Sequence, residues 1–230
     1  MANTREKHVT DWKANYTHQL KLFNPQRACP IVGFGAGAVG SWAAFFLAKE
    51  GFTDITWWDD DVIKSHNIPM SLYGPADVGK HKVECLQQRI EELTGVVIKP
   101  VRKKFTSPKS ATLSRCIVVC CVDEMEKGRM PLWAAVKKNP TIKLFCDSRV
   151  AAAYTEVISV VPYEPKDIFR YEALLFTDKK AARQMCGEHG IVYGSVNAAR
   201  VIASNASRIL MAGMVPWRYA ERCDTLERAH

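Results

Sequence analysis

Two kinds of residue with potential chemistry lie close together in the first quarter of the chain. The glycines Gly35, Gly37 and Gly40 have the spacing of a nucleotide-binding turn. In such a turn one glycine makes the bend, the next lets phosphate approach the backbone, and the last allows close packing of helix on strand. Asp59 follows Gly40 at about 20 residues, where a ribose-binding carboxylate is expected. The pattern predicts a bound nucleotide, and a purely structural glycine turn is the alternative.

The elements that would position these residues alternate between strand and helix. Strands are expected at 29–34, 54–59, 96–105, 116–122, 142–147 and, in antiparallel sense, 154–162; helices are expected at 41–50, 78–94, 126–138 and 191–213. This order predicts an α/β fold with a doubly wound, mostly parallel Rossmann-like sheet, helices on both faces and a C-terminal antiparallel and helical extension. The carboxyl ends of its strands would bring the glycine turn, Asp59, Asp61, Asp123 and Asp147 to one crevice.

The chain divides into three segments of one domain. Residues 1–28 are expected to form an N-terminal helical arm, 29–163 a nucleotide-binding core, and 164–230 a helical extension whose tail, from residue 215, is loosely ordered. A length of 230 residues with 47% hydrophobic content is enough for one substantial core.

Composition indicates the cellular location of the protein, the state of its thiols and the charge of its partners. The sequence has no uninterrupted apolar run of about 18 residues, and its first residues are too polar for a signal peptide, so we expect a cytoplasmic protein with no membrane contact. Its eight cysteines include no C-x-x-C pair, which argues against a four-cysteine zinc site and favours reduced thiols. The net charge of +8 suits an acidic partner, although the basic residues are dispersed.

Three further motifs select among nucleotide-binding families. Residues 59–67 (DDDVIKSHN) resemble the D-x-D-x-V-x-x-x-N segment of the ThiF/MoeB/HesA family, the ubiquitin-activating-type adenylyltransferases. Residues 77–82 (DVGKHK) resemble its D-x-G-x-x-K, and 122–129 (VDEMEKGR) its D-(x)5-R segment. With the glycine turn, four motifs stand in the family's order between about residues 15 and 150.

The resemblance implies an ATP- and Mg²⁺-dependent enzyme. In the family, a C-terminal carboxylate of a ubiquitin-like protein, sulfur-carrier protein or peptide attacks the α-phosphate, pyrophosphate leaves, and an acyl-adenylate forms in a site that positions charge. By resemblance Asp59 binds the ribose, Asn67 and Lys82 contact the phosphates, and Asp123 holds the Mg²⁺. Asp61 and Arg129 would lie near the same phosphates, and the family usually forms a homodimer.

One cysteine has the context of a nucleophile. Some relatives transfer the acyl group to a cysteine located after the sheet, and Cys186 is followed by glycine, glutamate and histidine. A packed thiol is the alternative reading of Cys186.

The sequence departs from the family at its arginines. Residues 15–19 (NYTHQ) stand at the position of the family's arm motif R-Y-x-R-Q, and residues 67–71 (NIPMS) at the position of its N-x-x-R-Q motif. The three arginines of these two motifs are absent from this sequence. Either Lys13, Lys21, Lys80 or Arg129 replaces them, or the protein binds nucleotide without efficient adenylation.

Other functions share parts of this pattern. A tRNA-modifying enzyme of the same family would suit the positive charge, and its tRNA binding would weaken steeply with salt. A nucleotide-binding, non-catalytic partner protein would suit the missing arginines. An NAD-dependent dehydrogenase fits the glycines but leaves Asp61, Asn67, Lys82 and Asp123 unexplained.

Overall fold

A seven-stranded mixed sheet with helices on both faces forms the fold in the computed structural model, which describes residues 14–107, 111–151, 154–176 and 191–222. The strands are β1 (Ile31–Phe34), β2 (Ile55–Trp58), β3 (Lys99–Val101), β4 (Ile117–Cys120), β5 (Leu144–Ala151), β6 (Tyr154–Val160) and β7 (Arg218–Arg222). The helices are α1 (Ala38–Glu50), α2 (Lys82–Thr94), α3 (Met130–Val136), α4 (Pro165–Glu172) and α5 (Val192–Ala212). Short 3₁₀ turns lie at Thr17–Gln19, Pro25–Arg27, Ser65–Met70 and Pro75–Asp77, and a π turn at Met125–Arg129 precedes α3.

The strand order is β3-β2-β1-β4-β5-β6-β7. The first five strands in this order run parallel, and β6 and β7 are antiparallel to their neighbours. The predicted fold class, including the antiparallel and helical extension, is therefore confirmed. Because β1 lies beside both β2 and β4, the chain reverses direction across the sheet at β1, which is where open α/β sheets bind their ligands.

Alternating side chains of the central strands build two hydrophobic layers. Ile117 and Val119 of β4 join the layer under α1, α2 and α5, whereas Val118 and Cys120 join the layer under α3 and α4. All four residues of β4 are buried, as its continuous apolar run predicts for a central parallel strand. None of the described helices is long and apolar enough to cross a membrane.

The turn between β1 and α1 is packed so closely that it admits no side chain at two of its glycines. Gly35 has a φ of +86°, in the left-handed region, and a Cβ there would lie 2.6 Å from the Cys121 carbonyl oxygen. A Cβ on Gly40 would lie 1.8 Å from the Gly35 carbonyl oxygen. The glycines at these positions thus allow α1 to pack closely against β1, and the turn to pack closely against the end of β4.

The structure differs from the sequence-based expectation at several places. Strand β3 covers only Lys99–Val101 of the expected 96–105, β5 continues to Ala151, and α4 forms where no helix is expected. Helix α2 begins at Lys82 and not at residue 78, because residues 78–80 form a turn with Gly79 at a φ of +86°, and His81 bridges to Val62 in an extended conformation. The expectation of a loose tail from residue 215 is wrong for β7, which pairs with β6 along five residues. In the arm, the described part carries two 3₁₀ turns.

Replacing Gly40 by alanine should destabilise the fold, because the new Cβ would overlap the Gly35 carbonyl oxygen. Overpacking costs about 1–3 kcal/mol, and we expect the free energy of unfolding, measured by urea denaturation, to fall by an amount at the upper end of that range. Gly37→Ala is the matched control, since a Cβ at Gly37 would meet no atom within 4 Å. Equal stabilities of Gly40→Ala and the wild type would contradict this packing.

Candidate nucleotide site

Parallel strands bring the predicted site segments to one edge of the sheet. The glycine turn follows β1, Asp59 follows β2, and the segment from Cys121 to Asp123 follows β4, all at carboxyl ends. Since β2, β1 and β4 are consecutive in the sheet, these three segments lie side by side. The structure therefore brings together the glycines, Asp59 and Asp123, whereas Asp147, also expected in this crevice, is fully buried on β5 in an ion pair with Arg129.

Three hydrogen bonds hold the glycine turn in place. The Ala36 amide donates to Asp59 Oδ2 at 2.6 Å, and the Trp57 indole Nε1 donates to the Gly35 carbonyl at 3.0 Å. The third bond comes from the Tyr73 hydroxyl, which donates to the Ala36 carbonyl at 2.6 Å. The turn is thus fixed before any ligand binds, which lowers the entropic cost of binding.

Gly37 forms the open part of this turn. It is the N-cap residue of α1, and the space around its Cβ position is clear to 4 Å. The first amides of a helix have no intrahelical partner and favour negative charge. An anionic group can therefore approach the backbone at Gly37 and meet the N-terminus of α1, as a nucleotide phosphate does in this type of turn.

Asp59 links the turn to the following loop through both of its oxygens. Oδ2 accepts from the Ala36 amide, and Oδ1 accepts from the Asp61 amide at 2.8 Å. A carboxylate has about four acceptor sites, so two remain for ribose hydroxyls. Burial raises the pKa of Asp59, and the nearby Lys82 ammonium and these two amides oppose that rise.

Asp61 and Lys82 form an ion pair at the start of α2. Lys82 Nζ lies 2.7 Å from Asp61 Oδ2, and the Lys82 amide donates to the Asp61 carbonyl at 3.0 Å. The Asp61 side chain is 66% exposed and that of Lys82 only 11%. The hydrogen bond from Lys82 holds the pKa of Asp61 below its usual range. The carboxylate thus orients the lysine predicted to contact phosphate.

Asn67 lies in the 3₁₀ turn Ser65–Met70, and its side-chain oxygen accepts from the Lys64 amide at 2.9 Å. That contact uses the acceptor of the side-chain amide, and the contact of Asn67 with phosphate stays a prediction. The Ser71 hydroxyl donates to the Asn67 carbonyl at 2.6 Å, which further fixes the turn.

The two predicted residues after β4 lie in different environments. Asp123 is exposed at the carboxyl edge, whereas Arg129 is buried, with its guanidinium donating to the Asp147 carboxylate and, at 3.0 Å, to the Ser148 carbonyl. Although burial opposes its charge, Asp147 raises the pKa of Arg129 above its usual range. The structure thus places Arg129 in a buried ion pair, and its contact with nucleotide stays a prediction. Cys186 lies outside the described residues.

Sequence reasoning missed two residues that shape the site, Trp57 and Tyr73. Trp57 supports the turn through its indole and lies beneath Gly33, where a Cβ would come within 2.4 Å of the ring. Its place in an apolar strand gave a signal for burial but none for the hydrogen bond. Tyr73 lies in an irregular loop and also donates to the Lys82 carbonyl at 3.2 Å, a contact that no local pattern predicts.

Comparison with known proteins identifies the family of this chain. The ThiF family model matches residues 15–216. The chain belongs to the ThiF family. No curated protein sequence matches this ThiF-family chain.

Solved structures share the fold at low sequence identity. E. coli MccB with AMPCPP and MccA superposes with a TM-score of 0.68 at 15% identity, covering 90% of this chain and 64% of that one. E. coli MccB with ATP gives 0.68 at 16% identity, with the same coverage. PaaA gives 0.69 at 13% identity, covering 89% of this ThiF-family chain and 73% of that one. The chain therefore spans somewhat less than two thirds of the length of the MccB chains.

The ion pair at α2 leads to a prediction for the pKa of Asp61. Because the hydrogen bond from Lys82 is the largest cause of the lowered value, Lys82→Met should raise the pKa of Asp61 toward that of an ordinary aspartate. An NMR pH titration of the side-chain carboxyl carbon measures it. Lys64→Met is the control, since Lys64 acts only through weaker long-range attraction and its removal should raise the pKa less. An unchanged pKa in Lys82→Met would contradict the pairing.

Proposed function

We propose that this ThiF-family protein is an ATP-dependent adenylyltransferase that activates the C-terminal carboxylate of a peptide or small protein. One observation carries the proposal: Gly37 leaves an open approach to the N-terminus of α1, and Asp59 and the Lys82–Asp61 pair lie beside it. These groups match two parts of a nucleotide, since donors suit the phosphates and a carboxylate suits the ribose hydroxyls.

In this proposal different groups of the site bind different parts of the nucleotide. Gly35, Gly37 and Gly40 form the floor under the phosphates, and the free acceptor sites of Asp59 bind the ribose hydroxyls. Asn67 donates through Nδ2 and Lys82 through Nζ to phosphate oxygens. Asp61 is a positioning residue, because it holds Lys82 Nζ in place in the absence of the nucleotide.

Asp123 is the residue proposed to hold Mg²⁺. Mg²⁺ prefers carboxylate, phosphate and water oxygens, and the exposed Asp123 carboxylate at the end of β4 fits that preference. The oxygens of Asp59, Asp60 and Asp61 also approach within 4.8 Å of one another, but amides or Lys82 engage those of Asp59 and Asp61. When bound, the ion neutralises charge on the triphosphate.

The reaction needs positioning more than acid–base chemistry. A substrate carboxylate oxygen forms a bond to the α-phosphorus, the bond from that phosphorus to the bridging oxygen breaks, and pyrophosphate leaves with the electron pair. The preformed turn, Lys82 and Asn67 keep the phosphates in line and stabilise the charge that develops on them. Transfer of the acyl group to Cys186 is a further step that we leave as a prediction.

The substrate class is proposed from the relatives. MccB has been solved with ATP and, separately, with AMPCPP together with MccA. A peptide or ubiquitin-like substrate, a cytoplasmic location and a homodimer are further parts of this proposal.

Pyrophosphate exchange into ATP tests this function. A pool of random-sequence peptides with free C-terminal carboxylates should support exchange in the presence of Mg-ATP, and the same pool with amidated C-termini should not. Asp123→Asn should lower the exchange rate by about 10²-fold or more, since it weakens charge neutralisation at the reacting phosphate. Asp60→Asn, at an exposed neighbouring aspartate, is the matched control and should keep the wild-type rate.

The possible outcomes separate the candidate functions. ATP binding measured by calorimetry, without exchange in either peptide pool, would overturn the enzyme and support a nucleotide-binding partner protein. Absence of ATP binding would overturn the nucleotide site as well.

A further inference from the structure

Strand β5 extends past its neighbour at the carboxyl edge of the sheet. Cys120, the last residue of β4, pairs with Asp147, so the residues from Ser148 to Ala151 project beyond the end of β4. The Ser148 hydroxyl contacts the Cys120 carbonyl at 3.2 Å and Cys121 Sγ at 3.4 Å, and β5 therefore runs alongside the segment that leads to Asp123. Arg149 lies on this projecting part of β5.

The guanidinium group of Arg149 is held in a fixed position. Its Nε donates to Asp147 Oδ2 at 3.1 Å, and Nη1 donates to the Leu174 carbonyl at 3.2 Å. The ring of Phe176 lies over the group, with its centroid 5.8 Å from Cζ. Asp147 is itself fixed by Arg129 and by the Tyr171 hydroxyl at 3.1 Å. A donor held in this way is preorganised for a ligand.

One nitrogen of this group, Nη2, has no hydrogen-bond partner in the part of the chain that the structure describes, although it is buried. A buried donor without an acceptor costs about 1–3 kcal/mol, more for a charged group. Such groups are rare in native proteins and point to a bound acceptor. The Arg149 side chain keeps 18% of its surface exposed, so the guanidinium group lies near the protein surface.

The surrounding charges favour an anion as that acceptor. Arg129, Arg149 and Arg218 surround the two carboxylates of Asp147 and Glu156, with Arg218 at 2.6 Å and Arg149 at 3.9 Å from Glu156 oxygens. Among the residues that the structure describes, three cations of this cluster face two anions, which leaves a net charge of one positive unit. A single carboxylate would balance it and satisfy Nη2 with a charge-assisted hydrogen bond.

The position of Arg149 selects the kind of anion. The proposed ribose and phosphate contacts lie at β2 and at the turn after β1, whereas β5 lies two strands beyond β1, about 10 Å across the sheet. A carboxylate that attacks the α-phosphate must enter from the side that the proposed ribose, phosphate and Mg²⁺ contacts leave free, which is the side of β5. We propose that Arg149 binds the C-terminal carboxylate of the acyl substrate through Nη2; this inference rests on the proposed function.

Binding of a minimal substrate tests the role of Arg149. The probe is N-acetylglycine, which carries one carboxylate and one peptide unit, with its neutral amide as the comparison. Both are titrated into the whole protein loaded with AMPCPP. The wild type should bind the acid at least about tenfold more tightly than the amide, and Arg149→Lys should lose about tenfold in affinity for the acid, because lysine keeps the charge but not the fork.

Two controls distinguish substrate binding from a structural role. Arg149→Lys should keep its affinity for AMPCPP within about twofold, and Arg218→Lys, which alters a cation of the same cluster without touching Asp147, should bind the acid like the wild type. If Arg149→Lys does not fold, the guanidinium NMR signals of Arg149 in the wild type serve instead, and they should shift with the acid but not with the amide.

Several results would overturn the assignment. The wild type could bind the acid and the amide equally, or bind neither. Arg149→Lys could bind the acid as tightly as the wild type, or the guanidinium signals could fail to respond to the acid. A loss of AMPCPP affinity in Arg149→Lys would also overturn it, because it would place Arg149 at the nucleotide. Failure of the wild type to bind AMPCPP at all is a separate result, since it would refute the proposed function itself.

Discussion

The close approach of backbone segments at the glycine turn is the constraint on which the rest of the structure depends. Gly40 packs against the Gly35 carbonyl, and Gly35 packs against the Cys121 carbonyl. These contacts fix the distances of α1 from β1 and of the turn from the end of β4, because no side chain separates the backbones. The position of Asp123 relative to the N-terminus of α1 follows from the same packing. A ligand that spans the two therefore meets a site whose dimensions are set by the fold.

Three charged groups of the site, those of Asp59, Asp61 and Lys82, have partners within the protein before a ligand binds. Asp59 accepts from two backbone amides, and Asp61 holds the Lys82 ammonium. Burial and these partners move the pKa values of the two aspartates in opposite directions, upward for Asp59 and downward for Asp61. The same contacts tie the turn after β1, the loop after β2 and the start of α2 into one unit. Preorganised dipoles and charges of this kind stabilise a developing charge at little cost in reorganisation.

The arginines of this ThiF-family chain lie at positions other than those of the family motifs. Arginines are absent from residues 15–19 and 67–71, where the family motifs have them. Three arginines instead surround Asp147 and Glu156 at the other end of the crevice. Arg129, which by its motif belongs near the phosphates, is one of them. Cations are therefore concentrated near the carboxyl end of β5, and the lysine Lys82 lies beside the glycine turn, where it acts as a point charge without a fork.

The sequence by itself determined the order of the first six strands, the burial of β4 and the glycine turn, because each depends on residues close together in the chain. It also placed Asp59 and Asp123 at one edge, since the carboxyl ends of parallel strands share an edge. Only the tertiary structure decided that Tyr73 supports the turn, that Arg129 pairs with Asp147, that α2 begins at Lys82 and that β7 completes the sheet. Each of these depends on a partner that is distant in sequence or lies in an irregular loop, and strand register and loop path, which local patterns do not encode, select that partner.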